Sequence, residues 1–229
     1  MNILITSGGT SEKIDQVRSI TNHSTGQLGK IISEKFLEAG FSVTLVTTPT
    51  AVQPNAHPRL TKVIIKDVAE LQTVLEKETP THQVLIHAMA VSDYSPVYMS
   101  GFQAVKEAPN VEEFLHQTNQ ESKISSEEDY QVLFLKKNPK LISLVKTWNP
   151  DIRLIGFKLL VDVTEDHLVD IARKSLIKNQ ADLIIANDLT QISANQHQAI
   201  FVEKEELQTV QTKEEIANLL LEKIQAYDS

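Results

Sequence analysis

Two glycine segments stand near the start of the chain, Ser7-Gly8-Gly9-Thr10 and Asn22-His23-Ser24-Thr25-Gly26-Gln27-Leu28-Gly29. Glycines let the backbone approach a ligand closely, and the second segment leads into a helix whose free N–H groups and dipole suit a phosphate. Either pair alone is equally an ordinary turn and N-cap. Arg18, between them in IDQVRSITN, offers a planar fork for a carboxylate or phosphate, or a surface salt bridge to Asp15 or Glu12. The small residues of Met89-Ala90-Val91-Ser92-Asp93-Tyr94-Ser95-Pro96 admit a flat ring. Asp93 there suits ribose hydroxyls or a cation, or simply a turn with Ser95 and Pro96. Lys123 stands among carboxylates in ESKISSEE, and Lys136, Lys137 and Lys140 gather around Asn138-Pro139. Lys174 and Lys178 share one helical face and can straddle phosphate oxygens, although such pairs are common on surfaces. The 7 histidines show no metal-ligand spacing, and none is assigned a metal or triad role. The chain has 0 cysteines, which excludes disulfides, thiolate metal sites and a thiol nucleophile.

These residues are carried by alternating strands and helices. Apolar β-rich runs predict strands over 2–7, 42–47, 61–66, 83–90, 130–135, 153–159 and 183–186. Helical periodicity marks 28–39, the stretch after Asp67, 138–148 with Pro139 near its first turn, and 166–180. Residues 199–202 and 207–210 read as a hairpin, and Thr212 with Glu215 as a capping box for a last helix through Tyr227. Residues 95–128 are polar and acidic without clear period, an excursion acting as a flap or partner-contacting loop from one domain over 1–229. The pattern predicts an α/β, mostly parallel sheet with helices on both faces and an antiparallel edge hairpin. Ligands then belong beyond the C-terminal strand ends, at residues 7–10, 88–96, 157–160 and 187–189.

The net charge of −8 argues against general binding to a nucleic-acid backbone, but not against one anionic ligand among local lysines. No stretch has the roughly 20 apolar residues of a membrane span, and the N-terminal MNILITSGG is a core strand without a basic leader. A cytoplasmic location is expected.

In order along the chain, TSGGTSEKIDQVRSITNHSTGQLG, AMAVSDYSP, LKKNPKLI, LIGFKLL and RKSLIKNQADLIIANDL resemble the phosphopantothenate–cysteine ligase family of coenzyme A biosynthesis. The likeness spans residues 2–190 and is weaker in the 95–130 excursion; Asp15, Val17, Arg18, Asn22, Ser24, Gly26 and Gly29 in register carry it most strongly. No flavin-dependent decarboxylase domain precedes these blocks, so the chain resembles the stand-alone form. The resemblance implies a Rossmann-like domain, a homodimer, that joins 4′-phosphopantothenate to L-cysteine with CTP and Mg²⁺ through an acyl-cytidylate. It also implies roles. Asn22 would hold the acyl-nucleotidylate, Arg18 would order its loop, and Lys123 would belong to a flap over the nucleotide. Gly8 and Gly9 would let the backbone close on the ligand. His87, Ala88, Met89, Asp93, Pro139, Lys140, Leu141, Ile142, Phe157, Lys174 and Lys178 would bind the nucleotide, with Asn187 in the matching late strand-end motif. No metal ligand is assigned.

Two departures bear on this. Ser125-Ser126 stand where the family's flap carries further lysines, which implies either weaker triphosphate binding or a grip shifted to Lys136 and Lys137. Gly156-Phe157-Lys158-Leu159 is nearer the ATP-using eukaryotic branch, which keeps ATP as an alternative to CTP. An NAD(P)-dependent reductase of the same fold is a second reading. Against it stand the missing dinucleotide fingerprint, the missing acidic residue after the second strand and the absence of a Tyr followed four residues later by Lys.

Overall fold

Strand β1 (Asn2–Thr6) buries four consecutive residues, as a strand covered on both faces must. The computed structural model describes residues 1–119, 124, 128–193 and 196–227. After β1 come β2 (Ser11–Lys13), β3 (Ser19–Thr21), α1 (Gln27–Glu38), β4 (Ser42–Thr47), β5 (Leu60–Ile64), α2 (Val68–Glu78), β6 (Val84–His87), β7 (Tyr94–Gly101) and α3 (Phe102–Glu107). The second half adds β8 (Gln131–Lys137), α4 (Val145–Trp148), β9 (Arg153–Leu160), α5 (Glu165–Asn179), β10 (Leu183–Asp188), β11 (Ala199–Val202), β12 (Leu207–Val210) and α6 (Lys213–Tyr227). An 8-stranded sheet runs β12-β11-β10-β9-β6-β1-β4-β5, parallel except for β11 and β12. This is the expected Rossmann-like arrangement with its antiparallel edge hairpin.

The longer helices form on apolar stripes, and α2, α5 and α6 also carry side-chain caps. In α1 the buried residues Gly29, Ile32, Ser33, Phe36 and Leu37 follow helical spacing and share one core layer with Ile216, Leu220 and Ile224 of α6. On the other face α2, α4 and α5 contribute Leu71, Val145, Leu168 and Ala172 to a second layer. Asp67 caps α2 by accepting the Glu70 N–H at 2.9 Å, and Thr164 caps α5 through the His167 N–H. At α6, Thr212 accepts the Glu215 N–H at 3.1 Å while Glu215 accepts that of Gln211 at 2.7 Å. The capping box therefore closes one residue earlier than its usual form.

Three expectations need correction. The 95–128 excursion is not without regular structure: it opens inside β7, which pairs antiparallel with β8 as a separate two-stranded arm. Residues 130–135 accordingly belong to this arm and not to the main sheet. Stacked rings stabilise it, Phe114 lying between Tyr98 at 5.9 Å and Phe134 at 5.3 Å. The helix over 138–148 is a 3-10 turn at Leu141–Leu144 followed by the single turn α4, because Asn138 and Pro139 are used to join the arm to the sheet. The strand over 83–90 stops at His87, where the chain leaves the sheet for the site.

Candidate active site

Strand order reverses beside β1: the chain leaves β1 for β4 and β5 on one side and returns to β6 on the other. A crevice opens at such a switch, beyond the carboxyl ends of the strands. Its two walls are the loops after β1 and β6, and they are laced together. The Thr10 N–H donates to the Ala90 carbonyl at 3.0 Å and the Ala90 N–H to the Gly8 carbonyl at 2.9 Å. The Thr10 hydroxyl donates to Ser92 Oγ at 2.9 Å and accepts the Ser92 N–H at the same distance.

Asn22 is suspended over this lacing. Its N–H reaches the Thr10 carbonyl at 3.3 Å, and its Nδ2 lies 3.4 Å from both the Ala90 carbonyl and Ser92 Oγ. Two glycines bring α1 up to it. Gly26, just before α1, has φ 77, a left-handed conformation that other residues resist. Gly29 lies against Ser7 so closely that a Cβ there would overlap the Ser7 side chain. The Ser7 hydroxyl also donates to the Gly26 carbonyl at 3.2 Å. Ser24 is exposed in the turn before them.

Beside Asn22 lies a cavity of about 340 Å³. Its apolar lining comes from Met89, Val91, Pro139, Leu141, Ile142, Phe157 and Ile171. His87, Ser92, Asp93, Lys140, Lys158, Lys174, Ser175, Lys178 and Asn179 supply its polar and charged lining. The His87 Nδ1 is 2.8 Å from the Thr6 hydroxyl, and burial pushes the imidazole down to about 4, so the ring is neutral near pH 7. Asp93 forms an ion pair with Lys140, and its carbonyl accepts the Asn138 N–H at 2.8 Å. Lys174 pairs with Asp170 at 2.9 Å, while Lys178 makes no ion pair among the described residues.

Arg18 takes the structural alternative: it pairs with Asp15, not Glu12, Nη2 at 2.6 Å and Nε at 3.0 Å. That hydrogen bond, helped by the Val17, Arg18 and Ile124 N–H groups, holds the Asp15 carboxyl well below the usual carboxylate range. The Arg18 Nη2 also donates to the Ile124 carbonyl at 2.9 Å, and the Ile124 N–H to Asp15 at 3.2 Å. The pair thus fixes the residue that follows Lys123. Lys123 itself, with Ser125 and Ser126, lies outside the described residues.

Of the residues expected at the nucleotide, the cavity gathers His87, Met89, Asp93, Pro139, Lys140, Leu141, Ile142, Phe157, Lys174 and Lys178. Gly8, Gly9, Ser24 and Gly26 lie instead around Asn22 and the α1 start. Ala88 lies outside the cavity lining, its N–H bonding the Thr6 carbonyl at 3.2 Å. Asn187 is buried away from the cavity, its Nδ2 on the Gln198 carbonyl at 3.3 Å. Lys136 and Lys137 are exposed on the arm. Sequence reasoning missed Ser92, Lys158, Ile171, Ser175 and Asn179. Helical spacing from Lys174 and Lys178 marks the last three, which share that face of α5. It also missed Asn138 and Glu12, two polar residues at the arm's root. The Ser95 hydroxyl lies 2.8 Å from Glu12 Oε2 and 2.9 Å from Asn138 Oδ1, and the Asn138 Nδ2 donates to the Ser92 carbonyl at 3.0 Å.

A crevice holding a polar clamp at one end and a lysine-rimmed cavity at the other suits two anionic molecules brought face to face. The chain matches the model of the DNA/pantothenate metabolism flavoprotein C-terminal domain over residues 1–112 and 102–227. It is 30% identical over 227 residues to the coenzyme A biosynthesis bifunctional protein CoaBC of Thermococcus kodakarensis, covering 97% of this chain and 50% of that protein. The Escherichia coli K12 protein of the same name is 27% identical over 194 residues, 83% of this chain and 42% of its own. The chain therefore spans about half the length of the first of these relatives and less of the second. Among solved structures, the DNA/pantothenate metabolism flavoprotein from Streptococcus pneumoniae is 68% identical with a TM-score of 0.95 over 99% of each chain. The C-terminal domain of a CoaBC protein gives 26% and 0.72, covering 100% of this chain and 96% of its own. A Cab2 H337A variant in complex with phosphopantothenate-cysteine is 20% identical with a TM-score of 0.73, covering 99% of this chain and 88% of its own, and shares the fold. From the matches along nearly its whole length, the chain belongs to the family of the DNA/pantothenate metabolism flavoprotein C-terminal domain.

Proposed function

We propose that the protein is a phosphopantothenate–cysteine ligase that uses CTP. The observation that carries this reading is the shared wall between the two parts of the crevice. Ser92 contacts Asn22 at 3.4 Å and also lines the lysine-rimmed cavity, so a nucleotide in that cavity would present its α-phosphate toward the Asn22 amide. The CoaBC relatives are named for coenzyme A biosynthesis, and the Cab2 structure holds phosphopantothenate-cysteine. Both support the substrate pair.

The chemistry asks little of the protein beyond position and charge. The carboxylate of phosphopantothenate attacks the α-phosphorus, a P–O bond forms, and pyrophosphate leaves with the electrons of the broken bond. Cysteine, its amine freed of a proton by water, attacks the acyl carbon and expels CMP. Lys140, Lys174 and Lys178 neutralise anions that would otherwise repel. The Asn22 Nδ2 would donate to the acyl oxygen as charge develops there. The laced loops would hold both reactants in line, which would make the encounter effectively intramolecular.

Among the described residues, Asp93 is the one carboxylate lining the cavity and no three metal-ligating side chains gather into a cage. That donor set fits Mg²⁺ carried in on the triphosphate, since Mg²⁺ takes one or two carboxylates plus substrate phosphates. When bound, it would offset triphosphate charge, and Asp93 would hold it after leaving Lys140. The reading also keeps the family's homodimer and a cytoplasmic location; no helix among the described residues is long and apolar enough to cross a membrane.

The test is pyrophosphate release with each of the four nucleoside triphosphates, with and without phosphopantothenate and cysteine. Release with CTP that requires phosphopantothenate supports the reading. Preference for ATP would correct the nucleotide, and release with none would overturn the ligase.

A further inference from the structure

Thr6 and His87 are register partners on the neighbouring parallel strands β1 and β6. Both side chains leave the sheet on the face of Leu4 and Leu85, the face covered by α2, α4 and α5. The Thr6 hydroxyl oxygen is 2.8 Å from His87 Nδ1 and 3.3 Å from the Met89 nitrogen. A backbone N–H only donates, so the hydroxyl accepts from Met89 and keeps its one proton free to donate to Nδ1. With Nδ1 accepting, a neutral imidazole carries its own proton on Nε2. On its other side His87 is in register with Gly156 of β9, which puts no side chain beside the ring. Among the described residues, the charged groups that share the cavity are Asp93, Lys140, Lys158, Lys174 and Lys178. Four of these five are cations that disfavour a second proton on the ring, and burial acts the same way.

The cavity is divided chemically. Lysines supply its charge, while Met89, Leu141, Ile142 and Phe157 give it apolar walls. A phosphate belongs with the lysines; a neutral donor among apolar atoms suits a flat ring with a neutral acceptor. We infer that His87 presents a neutral Nε2–H donor to the nucleobase and reads the ring carbonyl of a 2-oxo-pyrimidine, so that it sets the preference for a pyrimidine over a purine nucleotide. This deepens the nucleotide-dependent ligase reading and rests on it. A donor placed for one carbonyl discriminates because a base whose acceptors lie elsewhere leaves a buried polar group unpaired.

The experiment uses the full chain labelled with ¹⁵N-histidine. Long-range ¹H–¹⁵N spectra at pH 7 report the tautomer of each imidazole, with His87→Leu assigning the signal. Calorimetric titrations with CTP and with ATP, without phosphopantothenate, are run on the native protein, His87→Leu and His87→Gln. The expected result is an Nε2–H tautomer whose resonance moves on adding CTP. His87→Leu then loses roughly tenfold in CTP affinity, about 1.4 kcal/mol, with ATP affinity unchanged, and His87→Gln, which keeps a donor, recovers part of it. An Nδ1–H tautomer, a resonance unmoved by bound CTP, or equal losses for CTP and ATP would overturn the inference. The ligase reading fails separately. Tight CTP binding with a moving resonance but no pyrophosphate release would sink the ligase and leave His87 as the base reader. Turnover with an unmoved resonance would sink only the role of His87.

Discussion

The Arg18 guanidinium forks onto a single oxygen of the Asp15 carboxylate, Nη2 at 2.6 Å and Nε at 3.0 Å, and the two side chains together hold the backbone of Ile124. Arg18 therefore acts on the residue next to Lys123 through geometry that only a planar, multi-donor group provides. Replacing Arg18 by Ala removes both the partner of Asp15 and the donor to the Ile124 carbonyl. We expect kcat/KM for the nucleotide to fall about tenfold or more, with faster proteolysis near residue 124. Arg18→Lys, a point charge in place of a fork, should recover only part of the activity. Full activity in Arg18→Ala would show that the clamp does not serve turnover.

Asn22 is placed by backbone on both sides, so its truncation removes one donor with little else. Asn22→Ala should cost on the order of 10²-fold in turnover, comparable to losing one oxyanion donor. Its thermal unfolding should stay close to that of the native protein. Steady-state kinetics beside a melting curve checks both, and near-normal turnover would remove Asn22 from the mechanism.

Gly29 fits α1 onto β1 with no room for another carbon. A Cβ there overlaps the fully buried side chain of Ser7. Gly29→Ala should destabilise the fold by about 1–3 kcal/mol, the usual cost of overpacking, despite the better helix propensity of Ala. Urea unfolding measures it; a gain in stability would show that α1 slides away freely.

Acid should weaken the fold in a defined window. His87 and His197 are pushed down to about 4 by burial, from an ordinary 6.5. The unfolded chain protonates both rings near 6.5 while the folded chain does not until about 4. Their contribution is complete above 6.5 and is lost as the pH falls toward 4. Asp188 is held at about 2 by the N–H groups of Val163, Thr190 and Asp162 and the Thr190 hydroxyl. Its contribution is complete above 3.8 and declines between 3.8 and 2. The urea midpoint should therefore drop between pH 6.5 and 4, and further below. A flat profile from pH 7 to 4 would show the two imidazoles charged within the fold.

The main sheet is legible in the sequence because its strands are covered on both faces: ILIT and LIIAND are continuous buried runs, and the turn Gly8-Gly9 ends the first of them. The arm is not, because YSPVYMSG pairs with one neighbour and packs on no full core, so its residues are mostly half-buried. Leu141, Val145 and Trp148 carry a helical period, yet Asn138 spends its backbone and side chain on Asp93, Ser92 and Ser95. The cavity lysines could be found because Lys174 and Lys178 obey helical spacing. Glu12, Ser95 and Asn138 could not, since their contacts join segments more than forty residues apart and leave no local pattern.

The central claim is that a substrate carboxylate and a nucleotide α-phosphate meet in one crevice between Asn22 and the lysines of the cavity. Phosphopantothenate labelled with ¹⁸O in its carboxylate tests this most directly, with the product CMP analysed by mass spectrometry after one turnover. The account predicts one ¹⁸O in the CMP phosphate, left there when cysteine breaks the acyl–oxygen bond. CMP without label, or label in pyrophosphate, would contradict it.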